Sequence, residues 1–219
     1  MLLVNDKLYI QTKNIILHKE KLDDYKKSFC DILKDKCNID VINYEFNKLD
    51  GNANRYSLYL LINNEHDFNK LYKNPTSPII KYKKQITKLF TQFVNSENVI
   101  DEIKPNNLFV GYNNFVRETM TENNWNASKE VENEIKIINK KVWKVITEFT
   151  NIVVFFNTED SKNEYINKNS KEIELLYLSI LKKYDEFNQY NEVNINVMFE
   201  SKETLDENYE GNLFYYSKR

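Results

Sequence analysis

Glycine, proline, cysteine, histidine and arginine are all scarce in this chain of 219 residues, and each shortage removes a class of chemistry. The three glycines, Gly51, Gly111 and Gly211, stand apart from one another. No glycine-rich loop can therefore wrap backbone amides round a phosphate, which excludes a P-loop or a dinucleotide fingerprint. The two histidines are His18, just before an expected helix, and His66, in the first turn of another. Both read as exposed cap-region residues, which disfavours a Ser–His or Cys–His nucleophile. Cys30 and Cys37 complete the soft ligands, so no cluster of four exists for zinc, and no metal or cofactor is expected. Seven positions apart on one helix, their Cα atoms would lie about 10 Å apart, beyond disulfide reach, and they read as small core residues.

Arginine is limited to Arg55, Arg117 and Arg219 among 31 basic side chains. The excess of Lys, Asn, Ile and Tyr follows AT-rich codons, as expected of a low-GC bacterium, its phage or a comparable parasite. It leaves few groups for bidentate recognition of phosphate or guanine. Long apolar runs are missing too, so no membrane span is expected. The opening "MLLVNDKLYI" lacks a basic leader and meets charge at Asp6, which predicts a cytoplasmic protein.

Aromatic residues make up 14% of the chain, and together with long periodic segments they supply buried area that the mean hydropathy of −0.66 would otherwise put in question. Charge divides unevenly. Residues 1–110 carry 17 basic and 14 acidic side chains, net +3, and 111–219 carry 14 and 19, net −5, which sums to the −2 of the whole chain.

"YLLINNEHDFN" (Tyr59 to Asn69) and "VVFFNTEDSKN" (Val153 to Asn163) read as two versions of one segment at an offset of 94. Ile62 falls on Phe156, Asn63 on Asn157, Glu65 on Glu159, Ile86 on Ile180 and Phe93 on Phe187. Each copy predicts a strand, a capped short helix and a longer helix. The copies are then expected to end in strands "NNLFVGY" (Asn106 to Tyr112) and "GNLFYYS" (Gly211 to Ser217). Helices are predicted upstream of each, at about 20–36 and 128–149, the second with a stripe of Val131, Ile135, Ile138, Val142, Val145 and Phe149. A strand near Leu2 to Ile10 and a hairpin turning at Asp50-Gly51 complete the first half. The expectation is an α+β protein of two tandem related units with antiparallel sheets. Residues 1–115 would form a ferredoxin-like βαββαβ unit and 116–219 a βαβαββ variant packed tightly on it, with a possible pseudo-two-fold.

Glu200-Ser-Lys202 matches the Glu-x-Lys spacing of a metal-dependent nuclease strand, but the same spacing recurs at Glu102 and Glu134. The partner acids, Asp160 or Asp185, are placed on helices, so a nuclease ranks last. Aromatic strands beside the lysines of helix 77–95 would suit an RNA-binding module, with Phe109 and Gly111 on one face and Leu108, Val110 and Tyr112 on the other. The first expectation is a non-enzymatic, cytoplasmic inhibitor or immunity or anti-defence protein that blocks a protein or ribonucleoprotein. On a continuous 128–149 helix, Trp143 would turn away from the apolar stripe toward Lys129, Lys136 and Lys140, an aromatic among lysines suited to an interface. An acidic hairpin loop, with Glu203, Asp206 and Glu207, would make a second contact.

Overall fold

The computed structural model describes residues 6–49, 55–74, 77–96, 103–169, 171–191 and 194–218. It is a mixed helix-and-sheet protein whose chain divides into two compact units, Met1–Glu118 and Thr119–Arg219.

The first unit opens with α1 (Lys7–Ile16), where a strand was expected; the Leu2 to Asn5 portion of that expectation lies outside the described residues. Leu8, Tyr9 and Thr12 bury at a helical spacing that a short apolar run cannot distinguish from a strand. Helix α2 (Asp24–Cys37) is capped by Asp23, whose carboxylate accepts from the amides of Tyr25 and Lys26, and it ends at Asn38 with φ 53°. Strands β1 (Val41–Lys48) and β2 (Tyr56–Ile62) then pair antiparallel. The Asp50-Gly51 turn expected between them lies outside the described residues. After α3 (Glu65–Lys70) and a small ribbon of β3 (Tyr72–Asn74) with β4 (Ser77–Pro78), α4 (Ile80–Ser96) carries the chain back. A 3₁₀ turn at Pro105–Asn107 leads into β5 (Leu108–Asn114).

β5 lies beside β2 in parallel, from Tyr56 opposite Leu108 to Ile62 opposite Asn114. The sheet is therefore three-stranded and mixed, in the order β1-β2-β5, rather than antiparallel. Two helices between β2 and β5 return the chain to the end where β2 began, which obliges a parallel neighbour. One face of the sheet presents Tyr56, Leu58, Leu60 and Ile62 at period two to Phe29 and Leu33 of α2 and Ile86 and Phe90 of α4. The Phe29 and Phe90 rings meet edge to face at 4.9 Å. Each such fully buried side chain contributes about 1.5–3 kcal/mol.

Helix α5 (Phe115–Ile138) begins in the first unit and runs on into the second. It stops at Ile138, and the stretch expected to continue it is strand β6 (Val142–Glu148). The misreading has a specific cause. The register of β6 slips between Val142 and Lys144, so an extra residue sits in the strand and Val142 and Val145, three apart, both bury. A bulge thus reproduces in a strand the spacing of a helical stripe. β6 pairs antiparallel with β7 (Asn151–Phe156) across a turn in which Phe149 takes φ 52°.

Helices α6 (Glu159–Asn169) and α7 (Glu172–Tyr184) follow, and β8 (Asn196–Ser201) returns parallel to β7. The sheet order β6-β7-β8 again mixes an antiparallel with a parallel pair. Its inner face, Ile152, Val154 and Phe156, packs on Val131 and Ile135 of α5 and Tyr177 and Leu181 of α7. Its outer face, Val153 and Phe155, is covered by α8 (Lys202–Tyr209) and α9 (Leu213–Tyr216) through Leu205 and Tyr216. The expected strand "GNLFYYS" is thus the short helix α9, started by Asn212, whose side chain accepts from the Phe214 amide. The expected acidic loop is the helix α8.

Neither unit has the ferredoxin-like strand order. Within each, a helix precedes a hairpin with a bulge in its first strand, then two helices and a parallel strand follow.

Candidate partner-binding site

The residues grouped around Trp143 do not meet as a continuous helix would have brought them together. Trp143 sits at the β6 bulge on the outer face of its sheet, half-buried against Phe155 at a ring distance of 6.0 Å. The Lys202 ammonium lies 5.7 Å from the Trp143 ring centroid and also pairs with Asp206 on the next turn of α8. Glu203 is engaged too: its carboxylate accepts from the Glu159 amide at 2.7 Å, at the start of α6. Glu207 is exposed on the same helix, and Lys140 is exposed in the turn before β6. Trp143 and Asp206 are therefore joined through Lys202, while Lys129 and Lys136 stand on α5, whose apolar residues pack the opposite, inner face of the sheet.

Those two lysines do share a helix face with a tryptophan. At 100° per residue, Trp125, Lys129, Glu132 and Lys136 fall within an arc of about 60° along roughly 16 Å of α5. Trp125 is 67% exposed. Lys136 bonds Glu132 at 2.8 Å across one turn, and Lys129 is exposed. On the other side of the helix Ala127, Val131 and Ile135 are buried, so the face is held in place by its own core stripe. The signal that would have found Trp125 is the helix start. Asn114 accepts from the Arg117 amide at 3.1 Å and opens α5 well before Ser128. A wheel begun there places Trp125 in line with both lysines.

A second exposed aromatic lies in the first unit. Phe109 of β5 is 48% exposed and turns outward, whereas Leu108, Val110 and Tyr112 are buried, the alternation expected of them. The Tyr59 ring stands 5.9 Å from Phe109 and lies across Gly111, where a Cβ would come within 2.7 Å of it. Only glycine leaves room for this ring at that position. The Lys83 ammonium of α4 sits 5.2 Å from the Phe109 centroid. Phe109 and Lys83 border a cleft of about 380 Å³ that Arg55, Asn106 and Asn107 also line.

Burial pushes the Cys30 thiol up to about 12, which leaves it without thiolate at neutral pH, and it also raises Cys37. Glu200 accepts from the Tyr216 hydroxyl, and Asp160 and Asp185 lie on α6 and at the end of α7. Among the described residues no group of three or more His, Cys, Asp or Glu is placed to hold a metal ion, and no helix is long and apolar enough to cross a membrane. Comparison with protein-family models, curated proteins and solved structures finds no match to this chain.

Proposed function

We propose that the protein is a non-enzymatic, cytoplasmic interaction protein of the inhibitor, immunity or anti-defence kind. It blocks a protein or ribonucleoprotein partner with the face of α5 centred on Trp125. The observation that carries this reading is the 67% exposure of Trp125 on a well-supported helix, at the head of a row of charged side chains. Tryptophan left in water forgoes a large burial energy, and lysine stems beside it can exclude water from an interface. The scarcity of histidine and glycine agrees with a binding rather than a catalytic role.

The two units read as copies of one αββααβ element. The bulge supports this, since Ile42 and Trp143 occupy the same place in their hairpins. So do the amides of Asn63 and Asn157, which close on the carbonyls of Asp40 and Lys141 at 2.9 and 2.8 Å. Asn114 and Ser201 cap the helix after the third strand in each unit, and each cap lies beside the acid that opens the helix after the hairpin, Glu65 or Glu159.

Affinity capture with tagged wild type and Trp125→Ala, followed by calorimetry on the captured partner, tests the site. The variant is expected to bind about 30-fold more weakly, some 2 kcal/mol. Unchanged affinity would remove α5 from the interface.

A second reading, an RNA-binding module in the first unit, is favoured by the Lys83 ammonium and the Tyr59 ring beside the exposed Phe109. Stacking of a base on Phe109 with phosphates near Lys83 and Arg55 is the arrangement it implies.

A further inference from the structure

The outer face of the second sheet is covered along β7, and that of the first sheet is open around Phe109. Over the second, Leu213 and Tyr216 of α9 pack with Leu205 of α8 on Val153 and Phe155. In the first unit the helix that follows the third strand is α5, which runs on for 24 residues into the second unit. Helix α1 reaches one end of the first sheet's outer face, where Asn43 donates to Thr12 Oγ1 at 3.1 Å. Toward the other end Tyr59 is half-buried and Phe109 half-exposed, and Leu49, 41% exposed, borders the same cleft. The charged groups among the described residues that line this cleft, Arg55 and Lys83, are both cations. Helix α9 carries the complementary features. Leu213 and Tyr216 turn to its own sheet, whereas Phe214 and Tyr215 are 62% and 50% exposed, their rings 6.2 Å apart. Two neighbouring aromatic rings left in water forgo a large burial energy. Just ahead of them Glu207 and Glu210, in the last turn and the cap of α8, are exposed and make no ion pair among the described residues. Residues 202–218 hold four acidic and two basic side chains, and one of the two, Lys202, is paired with Asp206. The other, Lys218, lies 5.2 Å from the Phe214 centroid, the distance of Lys83 from Phe109, so each ring takes a cation on its face.

We propose that the Phe109 cleft of one copy of this chain receives α9 of a second copy, with Phe214 and Tyr215 against Phe109 and Leu49, and Glu207 and Glu210 toward Arg55 and Lys83. An aromatic helix is what covers the outer face of the second sheet, and α9 has two more rings on its free side with which to cover a neighbour's first sheet. Opposite charges steer the two surfaces together and oppose the pairing of either with its own kind. The contact joins two different surfaces, so every copy carries both a socket and a plug. A few rings and two carboxylates place it among weak, reversible interfaces. It uses no residue of the Trp125 face and goes beyond the partner-binding role.

Sedimentation equilibrium of the full chain tests the proposal. The mean mass of wild type is expected to rise with concentration between about 10 µM and 1 mM, the range of weak contacts. Association should weaken about tenfold between roughly 0.05 and 0.5 M salt. Phe109→Ala removes the ring of the socket, and Phe214→Ala with Tyr215→Ala removes the plug; each should lose association at least about tenfold. Lys83→Glu, which inverts the charge of the cleft and leaves its rings, should behave as Phe109→Ala does. Mixed in equal amounts, the socket and plug variants should form a dimer that grows no further, because one copy keeps its plug and the other its socket. Trp125→Ala should associate as wild type does, which separates this contact from the partner-binding face. A wild type that stays monomeric, a socket or plug variant that associates like wild type, a mixture without dimer, or a monomeric Trp125→Ala would each overturn the assignment. Monomeric wild type that binds a uridine-rich RNA through Phe109 would overturn it in favour of nucleic acid as the occupant of the cleft.

Discussion

Trp125 and Trp143 are the only tryptophans, the first exposed on α5 and the second half-buried in the second sheet. Trp143 packs on Phe155 and lies under Lys202, so Trp143→Ala opens a partial cavity on the outer face of the second sheet. A loss of about 2–3 kcal/mol in folding free energy is expected, at the lower end for large-to-small changes because the ring is only half-buried. Trp125→Ala touches no core and should change stability by less than about 0.5 kcal/mol. Urea midpoints of the two variants check both values, and a reversed order would mean that the wrong tryptophan has been put at the interface. A carboxylate supplies the second single-residue prediction. Burial opposes ionisation of Asp67, but Lys70 at 2.7 Å, the Asp40 amide and Asn64 outweigh it and bring the carboxyl down to about 2. Because the folded value lies below the unfolded one, the stabilisation is complete above about pH 4 and is lost as pH falls toward 2. Asp67→Asn should therefore cost about 1–2 kcal/mol at neutral pH and almost nothing at the acid end, read from denaturation midpoints across that window.

Whole elements hang on small polar groups at their ends. Asn114 opens α5 and also donates to Glu65 at 2.9 Å, while Ser201 opens α8 by accepting from the Thr204 amide at 3.0 Å. Both caps are buried, and replacing either by alanine should cost about 1–2 kcal/mol. The larger loss is expected for Asn114→Ala, which also deprives Glu65 of a donor and leaves it to Arg117 and Asn69. Thermal denaturation of the two variants checks the order; equal and negligible losses would show that water replaces the caps. These ends also explain what could be read in advance. β2, β7 and α7 were legible because their apolar periods are long and unbroken. The start of α5 was not, since Asn114 lies inside a strand-like run, "NLFVGYNNF", with no break in hydrophobicity to mark the change. Nor was β6, where the bulge supplied a helical spacing, nor α1 and α9, which are too short for their burial pattern to choose between periods. An aromatic in line with lysines on a helix was legible as an arrangement, but the tryptophan that shares the face of Lys129 and Lys136 is Trp125 and not Trp143, because the helix runs over Phe115–Ile138 rather than 128–149.

Charge distribution is the property of the whole molecule that bears on what it binds. The chain is net −2, yet residues 1–110 carry +3 and 111–219 carry −5, so the Phe109 cleft lies in the basic part and the Trp125 face in the acidic part. A protein partner on α5 and a single-stranded RNA on β5 should therefore answer differently to salt. At the cleft the cations in place are Arg55 and Lys83, so about two phosphates would be neutralised. For a single strand the logarithm of the binding constant then falls with the logarithm of salt at a slope of about −0.7 per contact, or roughly −1.4 in all. Phe109→Ala would lower the affinity by about 1–3 kcal/mol at every salt concentration without changing that slope, because stacking releases no counterions. Lys83→Gln would do the reverse, reducing the slope to about −0.7. Filter binding of a short uridine-rich RNA across a salt series distinguishes the two variants. A slope near zero, or one steeper than about −4, would show that these two cations are not the phosphate contacts.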